Sequence, residues 1–334
     1  IAATGSLSGT LKGGDGNDNL FLNSSNNVVN IDHSGKGDVR SNGGSLIIRG
    51  NSIYTIVEGQ IWWQAQVNAN KLGGNLVTIN DEAEHKWLDK NFNGNYWIGL
   101  NKGGVINTYP DWSWIDNDSS TYRPSSWNDK AVSGGSTPLT NDMIPYTYTV
   151  TNFDTQGDGS DWIKSSGNHT NGFITKGIAE TKFIRRGDSA YVIVEGPTWE
   201  KAEANANKLG GHLVSINDAE ENDFLISTFK DSNKGDWEQA INNDIYWIGL
   251  ERSNNSWEWT SGDQLTYTNW GVKEPFGNGD KVHLILEGTG NNNHWTGIAG
   301  KWNDEYSNVN LLDPTWPGHY GIAEIKLAPN NSPN

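Results

Sequence analysis

Cysteine is absent from the 334 residues. That excludes disulfides, thiolate nucleophiles and cysteine-based zinc sites. It assigns no compartment by itself. Positive charge is scarce: 24 Lys and Arg stand against 40 Asp and Glu, a net charge of -16. Such a chain does not suit nucleic acid or an anionic membrane surface as main partner. The acidic balance serves solubility or cation binding alike. No run of about eighteen apolar residues occurs, so no helix is expected to span a membrane. The start, IAATGSLSGT, lacks the basic and apolar regions of a signal peptide. The chain is therefore expected to be a piece of a longer one, with a linker at its end, APNNSPN. Catalytic patterns are missing too. There is no nucleophile elbow, and the histidines lack metal spacing such as HExxH. The expectation is a protein that is not an enzyme.

What the chain does contain is a phrase said twice. YTIVEGQIWWQAQVNANKLGGNLVTINDEAEH starts at Tyr54, and YVIVEGPTWEKAEANANKLGGHLVSINDAEEN starts at Tyr191, with no gap needed between them. Each copy is followed by YWIGL, ending at Leu100 and Leu250, and closes on GIAE, ending at Glu180 and Glu324. Three phrases in one order, twice, mean an internal duplication. Its unit is domain-sized.

Within each copy the period changes along the chain. Short alternating runs predict strands around a turn at Gly50 and at Gly187. A helix follows. In the second copy Trp199, Ala202, Ala206 and Leu209 share one face, Thr198 can cap the start, and Gly210-Gly211 stops it. The first copy repeats this with Trp62, Ala65, Ala69, Leu72 and Gly73-Gly74. A strand over 212–216 and a second helix begun by Asn217 or Asp218 come next, with Ala219, Phe224 and Leu225 offered to the buried side. Beyond YWIGL lie long Gly-, Asn- and Trp-rich loops. Loops that long in a compact domain are often functional. The fold class is α+β, with two helices and then a loop-rich β half in each unit.

The first 44 residues are rich in Gly, Asn, Asp and Ser. Among them GGDGNDNLF, residues 13–21, fits the pattern GGxGxDxUx. Glycines there permit tight turns, while Asp15 and Asp18 offer hard oxygens suited to Ca²⁺. The stretch resembles the calcium-binding nonapeptides of RTX proteins, which coil into a parallel β-roll. A Gly/Asp-rich linker is the bland alternative.

The second copy carries Trp199, Ala202, Gly211, Leu213, Ile216, Trp247 to Leu250, Trp257, Trp259, Tyr267, Trp270, Glu274-Pro275, Trp302-Asn303-Asp304 and Ile322 to Glu324, in that order. This ordered set resembles the C-type lectin-like domain. The resemblance implies domains at 45–182 and 183–327, after an RTX-like segment at 1–44 and before a linker at 328–334. It implies that Ala206 and Ala323, and Ala69 and Ala179, stand where the family has a disulfide, and that Lys281 and Ser307 replace a second one. Sugar-binding members of the family hold Ca²⁺ in the long loop, with a cis proline after the loop's Glu. The implied metal ligands here are Glu274, Asn303 and Asp304, with Asp280 as the nearby acid. Phe276 stands where the family has Asn, and Asn278 is the substitute offered two residues on. The ligand-binding set is Glu274, Phe276, Trp295, Asn303 and Asp304, with Trp295 the expected exposed aromatic. The first copy has SWNDKAVSGG after Tyr122 and no Glu-Pro, so no family-type Ca²⁺ site is expected there. Trp162 is expected to match Trp302.

The function expected is a calcium-dependent carbohydrate-binding module of a secreted, bacterial, RTX-type adhesin, at or near the cell surface. Its partner would be a glycan or a cell-surface protein, with Ca²⁺ as cofactor. Two alternatives stand beside it: calcium-independent protein recognition by the same loops, and a structural spacer.

Overall fold

The computed structural model describes, with side chains, residues 47–101, 112–124, 174–230, 245–277, 279–288, 298–306 and 320–327, together with the backbones of several further strands. The chain divides into two compact units that meet in sequence at Lys182 and Phe183.

Five short strands come first: β1 (Ala2–Ala3), β2 (Ser8–Lys12), β3 (Leu20–Leu22), β4 (Val28–Asp32) and β5 (Val39–Ser41). They alternate between two sheets, β1-β3-β5 and β2-β4. The three-stranded sheet is parallel, with Ala2 opposite Phe21 and Leu20 opposite Val39.

The first unit then runs β6 (Ile47–Arg49), β7 (Ser52–Glu58), α1 (Trp62–Asn70), β8 (Asn75–Leu76), α2 (Glu82–Asn91), β9 (Gly94–Gly103), β10 (Ser113–Trp114), β11 (Tyr146–Phe153), β12 (Trp162–Ser166) and β13 (Lys176–Lys182). The second unit repeats the series as β14 (Ile184–Arg186), β15 (Ser189–Glu195), α3 (Trp199–Lys208), β16 (His212–Leu213), α4 (Ala219–Phe229), β17 (Ile245–Ser253), β18 (Ser256–Trp259), β19 (Lys281–Ile285), β20 (Trp302–Glu305) and β21 (Tyr320–Lys326). The sheet orders are equivalent, β12-β11-β9-β13-β7-β6 and β14-β15-β21-β17-β19-β20 read from opposite ends. Each is antiparallel but for one central parallel pair, Gly177 with Trp97 and Gly321 with Trp247. Trp162 opens β12 as Trp302 opens β20, the same topological place.

The expected helices form where the apolar spacing put them. Trp199, Ala202 and Ala206 are buried on α3, and Thr198 caps it by accepting from the Lys201 N–H at 3.3 Å. Gly210 follows at φ +81°, and Gly211 then passes so close to β21 that an added Cβ would lie 2.0 Å from the Glu324 carbonyl. Two expectations need correction. The run 212–216 is a strand only to Leu213, because Val214 leaves the ladder to bridge two strands. Its N–H reaches the Ile322 carbonyl at 2.8 Å and its carbonyl takes the Gly249 N–H at 2.9 Å. Ala219 is exposed. Leu225 is buried as expected and Phe224 is half-buried, and Glu221, Asn222 and Phe229 complete the buried face of α4.

Those two buried polar residues have partners. Asn222 Oδ1 accepts from the Trp302 indole at 2.9 Å. Glu221 accepts from the Tyr191 hydroxyl at 2.6 Å and the Asn217 N–H at 2.9 Å, beside Arg186. Glu324 of the closing strand joins this group through Ser189 and Lys326. The first unit builds the same cluster from Tyr54, Glu84, Glu180, Ser52 and Arg49. Ala206, Ala323, Ala69 and Ala179 are all fully buried. Small side chains thus fill the places where the resemblance implies a lost disulfide.

Candidate functional site

The site of the second unit is built on β19 and β20, which pair with Val282 opposite Asp304 and His283 opposite Asn303. Trp302 anchors the start of β20 in the core, ringed by Trp259, Tyr267 and Trp270 with edge contacts at 5.7–5.9 Å. The preceding loop is pinned to it. Gly271 N–H donates to the Trp302 carbonyl at 2.8 Å, and Trp302 N–H donates to the Asn269 carbonyl at 3.0 Å.

From there the chain rises through Glu274-Pro275, a cis peptide bond, to Phe276, which is 71% exposed. It then falls back onto Asp304. That carboxylate is 1% exposed and accepts three backbone N–H groups: Phe276 at 2.7 Å, Gly277 at 3.0 Å and Gly279 at 3.0 Å. Gly279 runs against β20, where a Cβ would meet Glu305 N at 2.2 Å, so the position admits only glycine. Hydrogen bonds to a carboxylate are among the stronger ones. Asp304 is therefore a clasp that closes the loop from below.

Glu274 lies beside the clasp. Its Oε2 accepts from the same Phe276 N–H at 2.8 Å. Burial, then the hydrogen bond with Asp304, pushes Glu274 up to about 7. Burial also raises Glu305, against the pull of the Tyr306 N–H. Arg252 flanks the loop, with its guanidinium 5.7 Å from the Trp257 ring centre and its backbone N–H on the Asp280 carbonyl at 2.8 Å. Lys281 bonds Glu251 at 2.8 Å and lies 4.4 Å over the Trp199 ring. It fills its position by ion pairing and cation–π contact.

The structure thus brings Glu274 and Asp304 together, with Phe276 above them. Asn303 is buried, and its amide donates to the Asp304 carbonyl at 3.1 Å. Asp280 is fixed through its main chain. Asn278, Trp295, Asp15 and Asp18 lie outside the described residues, as does the Trp127-Asn128-Asp129 run of the first unit. Calcium takes about six to eight oxygens. Here Phe276 offers no side-chain oxygen, and both Asp304 oxygens already receive amides. Among the described residues no group of three or more His, Cys, Asp and Glu is placed to hold a metal. The described side chains of the loop therefore supply fewer oxygens than the ion takes, and Asn278, the substitute ligand implied by the resemblance, lies outside them. Sequence reasoning missed the clasp because its three donors are main-chain amides, which no residue pattern signals.

Comparison with known proteins follows the same outline. The Lectin C-type domain matches residues 58–143 and 195–312, more than half of the chain. The chain belongs to the C-type lectin domain family. C-type lectin 16 of Crotalus adamanteus is 36% identical over 80 residues, which is 23% of this chain and 48% of that protein. Dromaiocalcin-2 of Dromaius novaehollandiae is 40% identical over 78 residues, 22% of this chain and 54% of the relative. The chain therefore spans about half the length of these two relatives. Among solved structures, human lithostathine aligns at 22% identity with a TM-score of 0.33, covering 43% of this chain and 96% of its own. No helix among the described residues is long and apolar enough to cross a membrane.

Proposed function

We propose that this C-type lectin chain is a carbohydrate-recognition module of an extracellular adhesin, and that the loop over residues 271–281 of the second unit is its recognition surface. In this reading the units at 45–182 and 183–327 are separate domains, and only the second uses the long loop. Phe276 presents an aromatic face to a sugar ring, and the Glu274 carboxyl beside it accepts sugar hydroxyls. The observation that carries the reading is the Asp304 clasp. Three amides on one buried carboxylate hold the loop in shape from within the chain. Recognition is accordingly calcium-independent. Asn303 supports the surface from β20, and Trp295, outside the described residues, is kept as the further aromatic contact that the sequence offers.

One observation favours the calcium-bridged alternative through Glu274, Asn278, Asp280, Asn303 and Asp304. Glu274 is pushed up to about 7 next to Asp304, a crowding that a bound cation would relieve. A calcium role for Asp15 and Asp18 rests separately on the parallel pairing of β1, β3 and β5, which supports an RTX-like coil and with it a secreted bacterial source.

A glycan array with the full chain, run in Ca²⁺ and in EDTA, tests the proposal. Binding should persist in EDTA and fall about tenfold or more in Phe276→Ala. Loss of all loop binding on chelation would sink it. So would a calcium-dependent rise in thermal midpoint that disappears in Asp304→Asn, since bound ligand stabilises by mass action. A rise retained in Asp304→Asn places the ion at Asp15 and Asp18.

A further inference from the structure

At one corner the two copies make the same bonds with different chemistry. In the first unit Gln66 of α1 faces the start of β8. Its Nε2 donates to Asn70 Oδ1 and to Asn75 Oδ1, both at 2.7 Å, and its Oε1 accepts from the Leu76 N–H at 3.0 Å. The equivalent residues of the second unit are Glu203, Asn207, His212 and Leu213. Glu203 Oε1 lies 2.7 Å from His212 Nδ1 and accepts from Asn207 Nδ2 at 3.0 Å, while Oε2 accepts from the Leu213 N–H at 2.8 Å. Each contact of the corner is kept. What has changed is its charge. An amide that donates has become a carboxylate that only accepts, and the side chain opposite has become one that takes up a proton near neutral pH.

The corner joins helix to sheet in both units. β8 and β16 are two residues long, and each pairs with the closing strand, Leu76 with Ala179 and Leu213 with Ala323. The side chain from α1 or α3 is a cross-link between these layers. Around His212, other charges come from two further places. Asp263, in the segment after β18, adds negative charge. Glu324 of β21 stands opposite His212 in the ladder, with Lys326 on its carboxylate. β17 meets the corner with Gly249, where an added Cβ would lie 2.3 Å from the Leu213 carbonyl oxygen. The hydrogen bond with Glu203 raises His212 above the ordinary histidine value, against the opposing effect of burial. The His212 side chain is 43% exposed, so solvent protons reach it.

We propose that Glu203 and His212 form a pH-sensitive latch of the second unit: an ion pair ties α3 to β16 in mild acid and slackens as the ring loses its charge, while Gln66 and Asn75 make the same tie in the first unit with no titrating group. A histidine whose folded value is raised contributes fully below its unfolded value of about 6.5, and the contribution is lost as pH rises through the folded value. The unit that carries the 271–281 loop thus gains, in mild acid, a restraint that its twin lacks.

The test uses the full chain, with wild type against Glu203→Gln and His212→Asn. Both variants take the residue that the first copy carries in the same place, so the corner tolerates them. The ring C2 proton of His212, assigned by its absence in His212→Asn, is followed by NMR against pH. Expected is a midpoint above the ordinary value of about 6.5 in wild type, which falls in Glu203→Gln. Urea unfolding of the second unit is compared at about pH 5.5 and about pH 8.5. Wild type should exceed His212→Asn by more at the lower pH. His283 and Glu274 are common to both proteins and cancel in that difference. A packing role alone would give the same difference at both pH values, and that result overturns the latch. So does a His212 midpoint that Glu203→Gln leaves in place.

Discussion

His283 sits on β19 with its imidazole fully buried, and burial pushes it down to about 3 against the pull of the Asp304 carboxylate. An unfolded histidine titrates near 6.5. The folded value lies below the unfolded one, so the contribution is complete above about pH 6.5 and is lost as pH falls towards 3. At pH 5 the loss amounts to about 2 kcal/mol. Glu274 acts in the opposite sense, because its folded value is raised and it favours the protonated, low-pH form. Urea denaturation of wild type at pH 7 and pH 5 should show the second unit weakening. His283→Gln should remove most of that slope while leaving the Glu274 contribution. A variant with an unchanged slope would mean that the imidazole is not the titrating group.

At the scale of an element, α1 and α3 are near twins that differ at their starts. Thr198 caps α3, whereas Ile61 precedes α1 with the same extended backbone and no side-chain cap. Gln64 already stands where a capping box needs its amide. Ile61→Thr should raise the stability of the first unit by about 0.5–1 kcal/mol, read as a shift in its unfolding midpoint. The helices themselves were legible from sequence. Trp199, Ala202 and Ala206 share a face, and a Gly-Gly pair ends each helix. On the buried side of α4 Leu225 was legible but Glu221 and Asn222 were not, because they look like surface residues until Tyr191 and Trp302 are seen to require them. The shortening of β16 was equally hidden, since Val214 keeps both its hydrogen bonds while leaving the ladder. At the site, the sequence pattern pointed to Glu274 and Asp304 as neighbours. It could not reveal that loop amides occupy the aspartate.

Across the whole molecule the duplication keeps the scaffold and varies what is mounted on it. Gly177 and Gly321 both lie where a Cβ would strike a leucine at 2.5 Å, which leaves neither copy free to change there. The long loops and the outer helix faces are free of that constraint, and there the copies part. The tyrosine–carboxylate cluster belongs to the set that both copies keep, and it gives the protein an optical property. Burial, followed by the charge of Glu180 at Tyr54 and of Glu324 at Tyr191, raises both phenols far beyond the usual range. An alkaline ultraviolet titration of the native chain should therefore fall short of the 11 tyrosines that the sequence contains. These two rings would ionise only when their own unit opens, so each unit carries its own spectroscopic seal.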